Sequence, residues 1–75
     1  MNTKFVKHLK VGDRVRVQDP EGVGKVVYVG PSQLFTASGG CFRIDADLVA
    51  GPNAGKSVWG QHLPGDAEVE VYPVH

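Results

Sequence analysis

The side chains able to do chemistry are few in this sequence, and they lie far apart. Cys41 is the single cysteine, and the histidines are His8, His62 and His75. One thiolate and three scattered imidazoles do not make a structural zinc site, and one cysteine cannot form an internal disulfide. A thiol also needs a neighbouring base to become a nucleophile, and no histidine stands near Cys41 in the chain. No pair of carboxylates and no Ser/His/Asp set has a spacing that supports acid–base or acyl-transfer chemistry. No catalytic residue, metal site or cofactor is therefore assigned. What remains is recognition. Trp59, Tyr28 and Tyr72 are the large side chains with a polar tip. If residues 51–57 and 60–65 are loops, Trp59 is an aromatic anchor with Asn53, Lys56, Gln61 and His62 as its polar rim. Against this stands the plainer reading that Trp59 caps the core.

The stretch Ala50-Gly51-Pro52-Asn53-Ala54-Gly55-Lys56-Ser57 resembles the phosphate loop of the P-loop GTPases. There, glycines let backbone N–H groups wrap the phosphates while a lysine reaches the outer oxygens. Two departures count against the activity. Alanine stands at the first glycine position, and Val58-Trp59-Gly60-Gln61-His62-Leu63-Pro64 cannot continue as the helix that such a loop must open. The stretch reads as a glycine-rich connection, with Lys56 able to meet an anion.

The elements that must position these residues are short. Seventy-five residues make one domain, 1–75, and a chain of this size buries only about 60% of its unfolded surface. Hydrophobic residues make up 41% of it, above the range of disordered chains. Ten glycines and five prolines are spread through it and no apolar 3.6-residue period persists, so the fold class is all-β. No apolar stretch suits a signal peptide or membrane span, and the free thiol suits a reducing compartment, so a cytoplasmic protein without a membrane partner is expected.

Residues 11–29 carry two runs of alternating apolar and polar residues around Asp19-Pro20-Glu21-Gly22, a sequence with turn chemistry. The first strand is expected near 14–18, with Val15 and Val17 facing one way. The second is expected at 24–29, with Val26 and Tyr28 on one face and Val27 and Val29 on the other. Two-sided apolarity of that kind marks a central strand, or one with its outer face covered by a partner. Gly39-Gly40 predicts a two-residue hairpin that pairs Ser38 with Cys41 and Phe35 with Ile44. Val58-Trp59 is at most a short strand, a turn is centred on Pro64-Gly65, and 68–72 forms the last strand with Val69 and Val71 inward. Residues 1–10 read as a loosely ordered arm. Five short strands and no helix of note predict an SH3-like barrel.

The segments Gly12-Asp13-Arg14-Val15-Arg16, Gly24-Lys25-Val26-Val27 and Val69-Glu70-Val71-Tyr72-Pro73-Val74 resemble the plasmid-borne type-B dihydrofolate reductases. That resemblance implies an SH3-like barrel assembled as a tetramer around a pore that binds folate and NADPH, with Val69, Val71 and Tyr72 matching the family's last strand, as structural strand residues would too. Val17 stands where the family has a pore lysine, and Glu70 where it has a glutamine. A carboxylate only accepts hydrogen bonds, and four of them around a pore would repel each other and an anionic cofactor. The resemblance thus implies a relative in fold rather than a reductase.

Net charge is zero, but residues 1–25 carry +3 and residues 26–75 carry −3. A basic and an acidic end suit self-association. The alternative is a nucleic-acid surface formed by Lys4, Lys7, Lys10, Arg14 and Arg16. The sequence as a whole predicts a non-enzymatic binding module that forms homo-oligomers, with a protein or small-molecule ligand at Trp59, Gln61, His62, Asn53, Lys56, Tyr28, Tyr72 or Glu70.

Overall fold

The computed structural model describes residues 2–18 and 21–73. Six strands run in chain order as β1 (Asn2–Phe5), β2 (Arg14–Val17), β3 (Gly22–Ser32), β4 (Cys41–Ala50), β5 (Val58–Pro64) and β6 (Glu68–Tyr72), with a 3-10 turn at Val6–His8. They form a single antiparallel sheet in the order β1-β6-β2-β3-β4-β5. The sheet is not closed by hydrogen bonds, so β1 and β5 are its two edges. Among the described residues no helix is long and apolar enough to cross a membrane.

The alternation in β2 does what a two-residue period requires: Val15 and Val17 are buried while Arg14 and Arg16 are exposed. In β4 the even residues Ile44, Ala46 and Leu48 go to the core, and Arg43, Asp45 and Asp47 face outward. The core is completed by Val26, Val6 and Leu9, with Val29, Phe42, Trp59, Leu63, Val69 and Val71 packed around it. Gly24 marks a tight approach inside it. A Cβ there would lie 2.9 Å from the Ala46 Cβ and 3.4 Å from Val17 Cγ1, so the sheet bends across a position without a side chain.

Four sequence expectations change. First, the sheet has six strands rather than five: β1 and β5 are gained and the strand expected at 35–38 is absent, and the expected N-terminal arm forms β1 on β6 and then inserts Val6 and Leu9 into the core. Second, Gly39 and Gly40 do adopt left-handed conformations (φ 76° and 86°), but they do not join a hairpin. β4 has β3 on one edge and β5 on the other, so no edge is left for residues 35–38. That segment docks on the β5–β6 turn instead, where Gly65 N–H donates to Gly40 O (2.6 Å) and Asp66 N–H to Ser38 O (3.2 Å).

Third, the two-sided apolarity of β3 is a bulge. The register against β4 slips between Val26 and Tyr28, so Val26 and Val29 face the core while Val27 and Tyr28 are both exposed. Fourth, residues 60–64 are not a loop but the body of β5, and Pro64 ends it. Glycine at 60 reads as a breaker in sequence. In the fold its missing side chain makes room for Arg43 and Asp45 (2.6 Å and 2.7 Å from where a Cβ would be). Of the turn expected at 19–22, Asp19 and Pro20 lie outside the described residues. Glu21 follows them directly, and Gly22 opens β3 opposite Val17.

Candidate functional site

Opposed residues in antiparallel strands share a face, so the register sorts every polar side chain to one side of the sheet. One outward row runs Tyr72, Arg14, Lys25, Asp47, Val58 across β6, β2, β3, β4 and β5. The next runs Tyr28, Asp45, Gly60, and the one after it Gly30, Arg43, His62. The side chains of these two rows lie over the glycines. Tyr28 leans along β3 with its hydroxyl end above Gly30, and Arg43 with Asp45 fills the space above Gly60. Tyr28 remains 49% exposed.

Four of these outward groups form a chain of hydrogen bonds. Ser32 Oγ is 2.8 Å from His62 Nδ1, His62 Nε2 is 3.3 Å from Arg43, and Arg43 donates through Nε (3.0 Å) and its terminal nitrogen (2.6 Å) to Asp45 Oδ1. The Asp45 hydrogen bond holds the Arg43 proton more firmly than usual, raising its pKa. A guanidinium can only donate, so His62 Nε2 must accept from it, and the ring proton then sits on Nδ1 and points at Ser32 Oγ. The serine oxygen also accepts from Leu34 N–H (3.2 Å). An oxygen that receives a proton from the histidine is not being deprotonated by it. This Ser–His contact therefore orients side chains rather than activating a nucleophile.

The residues singled out by sequence part company here. Trp59 is half-buried on the core face opposite Ala46, and Gln61 shares that face. His62 points to the other side of β5, so the proposed rim around Trp59 is split by the strand. Asn53 and Lys56 lie in the 51–57 connection, where Lys56 N–H donates to Asn53 O (3.0 Å). Lys56 lines a shallow depression with Asp47, Val49 and Val58.

Tyr72 and Glu70 are neighbours on the outward side of β6, and the Tyr72 hydroxyl donates to Glu70 (2.9 Å). That bond raises the Tyr72 pKa. An open depression of about 450 Å³ lies beside Tyr72, bounded by Arg16, Glu21, Val23 and Pro52.

The five expected cations divide in the same way. Lys4 pairs with Asp13 (3.1 Å) and Lys7 with Asp66 (2.7 Å) at the N-terminal edge, where Lys10 is exposed. Arg14 and Arg16 stand apart from them, on the outward face of β2.

Sequence reasoning missed Lys25, Ser32, Arg43 and Asp45 as site residues. The two-residue spacing of Arg43 and Asp45 on a strand was a usable signal, since it puts opposite charges on one face. Nothing local could have brought Ser32 and His62 together. Cys41 is buried (6% exposed), opposite Ser32 and Pro64. Among the described residues no group of three or more His, Cys, Asp or Glu side chains could hold a metal ion.

No family model, no curated protein and no solved structure matches this chain, so its function has to be read from this geometry.

Proposed function

We propose that this domain is a non-enzymatic binding module that self-associates by adding a second copy along the free edge of β5. In this reading the bent sheet is an SH3-like small barrel left open between β1 and β5, and the partner copy covers the opening. The observation that carries it is the character of β5. It is seven residues long, pairs among the described residues only with β4, and holds no Lys, Arg, Asp or Glu. Edge strands that must stay solitary are normally short, charged or interrupted, because their free N–H and C=O groups template pairing with another chain. Here Val58 is 72% exposed, and Trp59 reaches the core face only half-buried. A second strand along this edge would satisfy the backbone groups and finish the burial of Trp59.

Sedimentation velocity over a range of micromolar concentrations tests this. The native chain is expected to dimerise or form higher oligomers. The double substitution Val58→Lys with Gln61→Lys should shift it to monomer while leaving the circular dichroism spectrum unchanged. A chain that stays monomeric at high micromolar concentration would overturn the reading.

The pore-enzyme alternative would need Glu70 and Tyr72 as ligand-facing groups. Turnover of dihydrofolate with NADPH, lost in Tyr72→Phe, would replace the non-enzymatic reading with that one.

A further inference from the structure

We infer that the outward face of β2, β3 and β4 binds single-stranded nucleic acid, with phosphates on Arg14, Arg16 and Lys25 and a base stacked on Tyr28. The starting point is an arrangement that costs energy in the free protein. Arg14 and Lys25 are directly opposed on neighbouring strands, where like charges repel. Arg16 is two residues further along the same face. Among the described residues none of the three makes an ion pair, whereas Lys4, Lys7 and Arg43 each do. Three exposed cations gathered side by side are relieved by an anion that bridges them.

The bodies of these three strands are net positive, although Lys25 also faces Asp47 across β4. On β2, β3 and β4 four outward cations face two outward carboxylates, Asp45 and Asp47, and Asp45 is already held by Arg43. Glu21 borders the track where the chain enters β3, and Glu70 borders it on β6, where it accepts from the Tyr72 hydroxyl.

Tyr28 then decides between polyanions. The bulge at Val27 turns this ring outward on the face that carries Lys25, three residues further along β3, and Gly30 gives it room to lie along the strand. An exposed aromatic next to a basic track offers a stacking platform for an unpaired base. The Arg43 guanidinium, laid over Gly60 and 41% exposed, offers a second planar surface in the next row. A duplex hides the faces of its bases, and the smooth face of this sheet presents no helix or ribbon to enter a groove. A single strand fits the surface; a duplex does not.

The test is fluorescence anisotropy with a short labelled oligothymidylate, run across a salt series. Binding at low salt should weaken as salt rises, with a log–log slope of about −2 if three phosphates are engaged, at about 0.7 each. Arg14→Ala and Lys25→Ala should each lower the affinity and reduce that slope by about 0.7. Tyr28→Ala should weaken binding about fivefold or more without changing the slope, and Tyr28→Phe should restore it. Lys4→Ala and Lys7→Ala should have little effect.

Four outcomes would overturn the inference: no binding at low salt; equal affinity for the matching duplex; affinity insensitive to Tyr28→Ala; or tighter binding of an oligoglutamate peptide, which would assign the face to an acidic protein segment. Arg14, Lys25, Tyr28 and Lys7 are exposed and Lys4 is half-buried on the edge strand β1, so each variant should keep the native circular dichroism spectrum.

Discussion

Asp66 shows how much one surface residue can hold together. Its carboxylate accepts from Lys7 Nζ (2.7 Å) and Ser38 Oγ (2.6 Å), and so ties the N-terminal turn and the 33–40 segment to the β5–β6 turn. These hydrogen bonds, with that from Lys7 the larger effect, hold its pKa below the ordinary carboxylate value. Because the folded pKa is depressed, the stabilisation is complete above the unfolded value of about 3.9 and is lost as pH falls through the folded pKa. The melting temperature of the native chain should therefore drop more steeply below pH ~4 than that of Asp66→Asn, which has no such proton to take up. Parallel curves for the two proteins would show that the Asp66 contacts contribute nothing. None of this could be read locally, since Lys7, Ser38 and Asp66 are far apart in the chain.

At the scale of elements, the strand bodies were legible and their partners were not. β2 and β6 lie where the alternation of valines puts them, with Val15, Val17, Val69 and Val71 inward. The errors fall at glycines, which mean different things in different places. Gly39 and Gly40 turn the chain without starting a hairpin, while Gly60 sits within a strand under Arg43 and Asp45. Gly24 is a third case, required by the approach of β3 to Ala46 and Val17. Gly24→Ala should destabilise the fold by about 1–3 kcal/mol through overpacking. Adding Ala46→Gly to it should recover part of that loss in denaturant unfolding, because the two Cβ positions compete for the same space. Full additivity of the two changes would mean that the contact is not the cause.

For the molecule as a whole, the N-terminal segment decides whether a core this small suffices. Val6 is fully buried and Leu9 nearly so, and Val6 N–H and Lys7 N–H donate to Ala67 O (2.9 Å) and Gly65 O (3.1 Å). Burying two such side chains contributes about 1.5–3 kcal/mol each. A chain of this length has only about 4–11 kcal/mol of net stability. Removing residues 1–9 should therefore abolish cooperative unfolding, seen as loss of the sigmoidal thermal transition by circular dichroism. A truncated chain that still melts sharply would return these residues to the status of an arm. The missed strand has a plain cause: Lys4, Lys7 and Lys10 make the segment look solvated, and its apolar residues are too sparse to show a period.

What the sequence alone determined was the all-β class, the inward valines of β2 and β6, and the lack of any clustered catalytic or metal-ligating pattern along the chain. These follow from composition and from the two-residue period, which are local properties of an extended chain. Tertiary structure decided which strand lies beside which, and with it every contact of the candidate site. Pairing β4 between β3 and β5 displaced the expected hairpin and left β5 with a bare edge. Register, together with the Val27 bulge, set Arg14 against Lys25 and turned Tyr28 outward on the same face. Strand order and register come from the competition of all strands for one core, and no single segment contains that information.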